Sequence, residues 1–585
     1  MYKKVLSCVG NYKKYAILTP VTIIGEVVME VLIPTVMALI IDNGIRQGDI
    51  GYVVKMGLVM MLMAAVSLCF GAISGRFAAV AGMGFSKNLR SRLFRKVQSF
   101  SFANVDKFST ASLVTRLTTD VTNTQNAFMM VIRMAFRAPI MLIFAIIMTV
   151  KINAKLSLIF VCIVPVLAIA IIFILSKAHP RFLSMLNKYD GMNSRIQENL
   201  IGIRVVKAFV REPFEKKNFE KTADDVRKAQ FFAEKLIILV MPIMQICIYS
   251  CIVAILWFGG NMAISGEMKI GQIASFITYV MQILISLMML SMIFMMIIIS
   301  RASIERIAEV LSEEPEIKDV EGTSAKAEDG SIVFENVNFS YFKDKNNLAL
   351  ENINLSIKSG ETIGIIGGTG SSKTSLVQLI PRLYDTLTGN VIVGGHNVKD
   401  YNLETTSGKI DITSGTRRMF SYVPQGNFIL SGTIKENLLW GDEKATDDEI
   451  RDACKSACAD DFIMNFPNGY ETDLGQGGVN VSGGQKQRIC IARALIKKPK
   501  IIILDDSTSA VDTATDSSIR KAFREKLSET TTIIIAQRIS SVKDADRIVV
   551  MDDGKINAVG THDELLANNE IYREVYVSQQ KGAEE

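Results

Sequence analysis

Histidine and tryptophan are scarce, three and two in 585 residues. So few imidazoles leave little from which to build a zinc or copper centre. The eight cysteines (Cys8, Cys69, Cys162, Cys247, Cys251, Cys454, Cys458 and Cys490) contain no CxxC pair. That excludes a disulfide scaffold and leaves reduced thiols facing cytosol or lipid. A strong excess of one charge is also lacking. Lys and Arg number 65 against 59 Asp and Glu, a net +6, too little in so long a chain to imply a nucleic-acid partner. The opening stretch MYKKVLSCVGNYKKY has neither the short apolar run nor the small-residue cleavage site of a removed signal peptide.

What is abundant is apolar surface. Hydrophobic residues make up 49% of the chain and charged residues 21%, Met reaches 28, and the mean hydropathy is +0.27. A soluble protein of this length reads more polar, and a wholly membrane-buried one carries fewer charges. The balance suits a chain that is part membrane and part soluble, with disorder and collagen excluded. Dividing the length by about 150 predicts several structural units rather than one core.

Six apolar stretches lie at 16–42, 53–75, 127–150, 156–176, 236–258 and 272–298. Each is near the ~20 residues needed to cross ~30 Å of hydrocarbon. Connections at 43–52, 151–155 and 259–271 are short, and those at 76–126 and 177–235 are long. The long ones hold the basic residues (Arg76, Lys87, Arg90, Arg92, Arg95 and Lys96, then Arg204, Lys207, Arg211, Lys216 and Lys217), which places them and both termini in the cytosol. Their mixture of apolar and basic residues has helical spacing. Two helices of about 25 residues per loop project roughly 35–40 Å, as an arm toward a second domain.

Arg133 and Arg137 share one face of the third stretch, where they either face a wet cavity or partner or snorkel to headgroups. Spans five and six are Met-rich, which suits promiscuous apolar ligands as well as lipid-facing packing. Pro139 and Pro242 are candidate kinks.

Residues 313–330 switch to charged and small residues and read as a linker between a domain at 1–312 and another at 331–585. Beyond the linker, runs such as SIVFENVNFSY, ETIGIIG, KIIILDDS and TTIIIAQ alternate with helical segments, an α/β pattern on a parallel sheet. Gly367, Gly368, Thr369, Gly370, Ser371, Ser372, Lys373 and Thr374, followed by Ser375, come after one such strand and open a helix. This nearly fits G-x-x-x-x-G-K-[ST]: backbone N–H groups cradle phosphate, Lys373 reaches the terminal phosphates and the Thr374 hydroxyl ligates Mg²⁺. Ser372 stands where the motif has Gly, and it is tolerated there if its backbone angle is ordinary. Asp505 ends the apolar run Ile501–Leu504, the position from which a buried parallel strand offers a carboxylate to a Mg²⁺ water. Ser482, Gly483, Gly484 and Gln485 precede another helix and form a second anion seat.

With six spans, long cytoplasmic loops, a phosphate loop, Gln425, SGGQ and an Asp-ended strand, the chain resembles an ATP-binding cassette (ABC) exporter half-transporter along essentially its whole length. The resemblance implies a six-helix transmembrane domain followed by an α/β P-loop cassette, with ATP and Mg²⁺ as cofactors. It implies that Tyr341 stacks on adenine, that Gln425 touches Mg²⁺ beside Thr374 and Asp505, and that Asp512 lies in the loop facing across a nucleotide sandwich. It places short coupling helices around Ser112–Arg116 and Gly202–Phe209.

Two positions depart from the family. Asp506 stands where Glu is the usual general base, and Gln537 where a switch His is usual; Ser507 follows Asp506 in place of Pro. Kept binding residues with altered water-activating ones resemble the degenerate-site subunit of a heterodimeric multidrug-type exporter. Its SGGQ then serves the ATP of a partner half-transporter with consensus Glu and His. The expectation is an integral protein of a bacterial plasma membrane with a cytoplasmic cassette and a small amphipathic or apolar cargo. A homodimeric slow exporter and an ATP-gated, channel-like protein are the alternatives. The stretch near 405–418 reads as an inserted surface loop.

Overall fold

The computed structural model of the chain describes residues 2–318, 325, 327–401 and 419–584. The insertion near 405–418 and residues 319–324 and 326 of the expected linker lie outside them. The chain divides into two units. One comprises Met1–Gln98 and Thr110–Glu313, the other Ser99–Ser109 and Glu314–Glu585.

The first unit is helical. Six stretches (Lys3–Ile45, Ile50–Gln98, Thr110–Ile152, Ala154–Ile201, Glu212–Ile264 and Ile270–Phe294) are long and apolar enough to cross a membrane. The long connections are not separate hairpins. Ile50–Gln98 runs as one helix of 49 residues and Ala154–Ile201 as one of 48. Ala154–Ile201 runs on through Pro180 and Ile50–Gln98 through Gly75, Gly82 and Gly84, so each helix continues past residues that could have ended it while its surface turns from apolar to basic. Pro139 lies inside the continuous helix Val121–Ile152, whereas Pro242 sits in the first turn of Val240–Ala254, just after a break.

Polar side chains join the first and last spans. Tyr279 donates to Val31 O at 2.7 Å, Ser275 to Pro34 O at 2.6 Å, and the Gly271 N–H to Asp42 Oδ1 at 2.7 Å. A Cβ on Gly271 would come within 2.4 Å of Ala38 O. The two backbones therefore approach as only a small residue allows, which is how helices gain contact where lipid supplies no hydrophobic drive.

Below the apolar stretches, Asp120 joins the third and sixth helices. Fully buried, it accepts from Ser303 Oγ and Arg306 Nε, both at 2.8 Å, and from Arg306 Nη2 at 2.5 Å. Between the second and third spans the structure adds a short helix, Phe102–Phe108, opened by a Ser101–Asn104 capping box. Around Ser112–Arg116, where the sequence predicts one, a second short helix overlaps the expected position. Those residues belong to the helix Thr110–Thr115 and the π-turn Arg116–Asp120 leading into the third span. The second expected position also holds a short helix, Ile203–Ala208.

The second unit contains the parallel sheet the apolar runs predict. β3 (Thr362–Gly367), β6 (Phe420–Val423), β7 (Ile501–Asp505), β8 (Thr531–Ile535) and β9 (Arg547–Asp552) run parallel, with β10 (Lys555–Gly560) antiparallel at one edge, in the order β10-β9-β3-β8-β7-β6. β7 and β8 are buried at every position, as strands covered on both faces must be. The structure adds an antiparallel sheet, β2-β1-β4-β5, from β1 (Ile332–Phe339), β2 (Leu350–Ile357), β4 (Thr388–Val393) and β5 (His396–Asn397). β1 and β2 mix buried and exposed positions, fitting one wet face. All eight cysteines are free.

Replacing Asp120 with Asn leaves Arg306 without its counter-charge. Arg306 keeps 46% of its side chain exposed, so water screens part of the loss. A cost of about 1–2 kcal/mol is expected, visible as a lower midpoint of thermal unfolding in detergent.

Candidate functional site

The register of three strands assembles the site. Ile365 of β3 lies opposite Ile535 of β8, which lies opposite Asp505 of β7. The residues that follow, the loop after Gly367, Gln537, and Asp505 with Asp506, therefore emerge at one edge.

Gly368, Thr369 and Gly370 form an exposed loop between β3 and the helix Lys373–Gln378. Gly367 is required there: a Cβ would stand 2.3 Å from Met551 O and 2.6 Å from Ser371 Oγ. Ser371 and Ser375 are buried on either side of the turn. Gly370 has φ +90, and Ser372 has φ 65, ψ 26, a left-handed conformation. The condition under which Ser372 would be tolerated without cost, an ordinary backbone angle, is not met, because the loop keeps the shape a glycine would take. Lys373 Nζ donates to Gly367 O at 2.9 Å, Gly368 O at 2.8 Å and Ser371 Oγ at 3.3 Å. Burial lowers its pKa, against the pull of Asp505 and Asp506. Its direct partners are neutral oxygens, so the charge is free to meet an anion.

Two adjacent carboxylates face this loop from different surroundings. Asp505 is 2% exposed and accepts from the hydroxyls of Thr374 at 3.1 Å and Tyr422 at 2.9 Å. Asp506 has φ 50 and accepts on one oxygen, Oδ2, from two amides: Gln425 Nε2 at 3.2 Å and Gln537 Nε2 at 2.8 Å. Burial raises the pKa of both, and the hydrogen bonds oppose it. Thr374 and Asp505 thus come together as expected, while Gln425 sits on Asp506. Among the described residues no three His, Cys, Asp or Glu side chains cluster to hold a metal. A hydroxyl and one carboxylate instead offer the few hard oxygens with which Mg²⁺ joins a phosphate.

Tyr341 is 43% exposed, and its hydroxyl and that of Ser375 share a hydrogen bond of 2.8 Å. Its ring packs edge-on against Phe339 at 4.8 Å and Tyr384 at 5.3 Å. Tyr384 donates to Asp106 Oδ2 at 2.7 Å, and burial, with Asp106 beside it, pushes its hydroxyl well above the usual range. A cavity of about 310 Å³ opens beside these rings, lined also by Ala103 and Lys343. Asp106, Tyr384 and Tyr422 escape sequence reasoning. Only the nearness of Tyr422 to Gln425, three residues on in YVPQ, could have pointed to one of them.

The SGGQ residues form the start of the helix Gly483–Ile496. Ser482 and Gln485 cap it reciprocally, at 2.8 Å and 3.3 Å. A Cβ on Gly484 would stand 2.7 Å from Ala510 O. Gln487 accepts from Ala510 N at 3.0 Å and donates to Ser509 Oγ at 3.3 Å, while Ser509 Oγ donates to Asp506 O at 2.9 Å. The helix is thereby tied to the loop after β7. Asp512, closing that loop, caps the helix Thr513–Lys526.

The chain matches the family described as ABC transporter transmembrane region over residues 16–288, and that described as ABC transporter over residues 350–509. It is 39% identical over 577 residues to the "Uncharacterized ABC transporter ATP-binding protein YfiB" of Bacillus subtilis, covering 99% of this chain and 98% of YfiB. The "Probable multidrug resistance ABC transporter ATP-binding/permease protein YheI" of the same organism is 36% identical over 429 residues, 73% of this chain and 72% of YheI. Among solved structures, a bacterial Atm1-family ABC exporter with ATP bound superposes with a TM-score of 0.80 at 23% identity, over 97% of this chain and 98% of the other.

A left-handed non-glycine costs about 1–2 kcal/mol, and glycine gives back about 0.5–1 kcal/mol through its freedom when unfolded. Ser372→Gly is therefore expected to stabilise the protein by about 0.5–1 kcal/mol. A rise in the midpoint of thermal unfolding checks it, and a fall counts against the strain.

Proposed function

This chain belongs to the ABC transporter family and is an ATP-hydrolysing exporter, and on that premise we propose that it works as one half of a dimeric pump. Its own pocket grips ATP and cuts it slowly. Its Ser482–Gln485 corner completes the pocket of a second half-transporter, one that carries the Glu base and His switch this chain has exchanged.

The observation that carries the reading is the sharing of one oxygen. Gln425 and Gln537 both donate to Asp506 Oδ2. With two amides on it, that oxygen is already occupied and is closed to an attacking water, so the handicap is one of access and reach rather than of basicity, which burial raises. Asp is also one methylene shorter than Glu, about 1.5 Å, and a misplacement near 1 Å costs about a hundredfold in rate. Gln537 can donate to a phosphate oxygen but cannot become positively charged there.

The binding parts are meanwhile intact in kind. Tyr341 offers a face for adenine. The N–H groups from Gly367 to Ser375 and the Lys373 ammonium hold phosphate. Thr374, Asp505 and Gln425 supply oxygens for Mg²⁺, which when bound neutralises phosphate charge. The basic cytoplasmic extensions support a cassette and termini on the inner side of a bacterial plasma membrane. Met-rich spans and likeness to a relative named for multidrug resistance support a small amphipathic or apolar cargo.

The double substitution Asp506→Glu with Gln537→His, in the chain purified alone, should raise ATP hydrolysis by about ten- to a hundredfold. A wild type that is already fast and does not respond overturns the reading. ATP-dependent uptake into sealed inverted vesicles separates a pump from a gated channel.

The pH dependence has a defined sign. The base must be ionised, and Asp506 is held above the ordinary aspartate range. Its protonated fraction at a given mildly acidic pH is therefore larger, and the acid limb of the rate profile lies higher than an unperturbed carboxylate would place it. Asp506→Asn should abolish that limb.

A further inference from the structure

Three ionisable side chains meet among the apolar helices. Glu26 and Glu30 stand four apart on the helix Lys13–Leu39, hence on one face. Arg137, on Val121–Ile152, donates through Nη2 to both oxygens of Glu30 at 2.8 Å and through Nη1 to Glu26 Oε1. Arg137 therefore does not snorkel outward. Two carboxylates against one guanidinium leave one negative charge in excess.

Among the described residues the excess has no partner. Glu26 is 8% exposed, and its Oε2 is buried with no donor. From the second span, Gly71 leaves room for the group: a Cβ there would lie 3.0 Å from Oε1 and 3.5 Å from Oε2. From the sixth, Gln282 donates to Glu30 O at 3.4 Å, and its own Oε1 is likewise buried without a donor. Arg133, one turn before Arg137 on the same helix, lies beside Gly75, where a Cβ would be 3.9 Å from its Nη1. Glu30, with 28% of its side chain exposed, opens the cluster outward while Glu26 lies behind it. Two buried acceptors lack donors, one of them on a carboxylate, and Glu30 beside them gives the cluster its outward opening. Such groups are costly unless something positive fills the gap.

We propose that Glu26, Glu30 and Gln282 form a cargo-recognition site selective for a lipophilic organic cation. The cation sits against the carboxylates while its apolar body lies among the spans. Arg137 positions the two carboxylates and rejects anions. The proposal deepens the exporter reading above and rests on it for the word cargo.

The test uses two probes of the same shape and opposite charge, tetraphenylphosphonium and tetraphenylborate, with the full-length protein in lipid nanodiscs. Equilibrium dialysis should find the cation bound and the anion not. Glu26→Gln should weaken cation binding tenfold or more, and Glu26→Asp, which keeps the charge, should restore part of it. If Glu26→Gln does not fold, Gln282→Leu carries the test, with an expected loss of threefold or more. Equal binding of both probes, or a cation affinity the same in every variant, overturns the site. ATP-dependent uptake into inverted vesicles is read separately. Cation binding that depends on Glu26 upholds the site even where uptake fails, and that failure sinks only the pump.

Discussion

The parallel alignment of Ile365, Ile535 and Asp505 across β3, β8 and β7 is the constraint on which the nucleotide site depends. It brings the ends of three strands, far apart in the chain, to a common edge. A slip of one residue would turn every side chain to the opposite face, moving Asp505 away from Thr374. Burial on both faces holds the register. β7 and β8 expose none of their ten side chains, five on each strand, so any shift would drive apolar groups out or polar ones in.

At that edge the protein separates two neighbouring acids by the kind of donor each receives. Hydroxyls, which can turn toward or away from a newcomer, hold Asp505. Amides, whose donors are fixed in a plane, hold Asp506. The left-handed turn at Asp506 directs its carboxylate off the strand, and the left-handed turn at Ser372 shapes the facing loop. Both sit where unusual backbone is most often retained, at a working surface rather than in the scaffold.

Much of this was legible in the sequence, because the signals are local. Apolar runs of bilayer length, a small-residue loop between a strand and a helix, and a carboxylate ending an apolar strand each lie within one short window. The rest depends on distance. Asp106 meets Tyr384 across 278 positions, and nothing near either residue announces the other. Glu26 and Glu30 were hidden by their own surroundings, since two acids in a long apolar helix scarcely change its average. The short helix Phe102–Phe108 escapes notice because seven residues are too few to show a period, and its only local signal is the Ser101–Asn104 cap. The angle at Ser372 could not be read from a one-residue change in a motif, since it is the neighbouring turns that impose it.

The unbroken helix Ile50–Gln98 has a mechanical consequence. At 1.5 Å per residue its 49 residues make a rod of about 74 Å. If one tip is pivoted by about 2°, the other sweeps an arc of roughly 2.5 Å over that length, half a helical turn's rise, with no bond along the way changing its partner. A join partway along would absorb such a tilt. A rod without one delivers it whole, so the gearing of the molecule is set by where its helices do not stop.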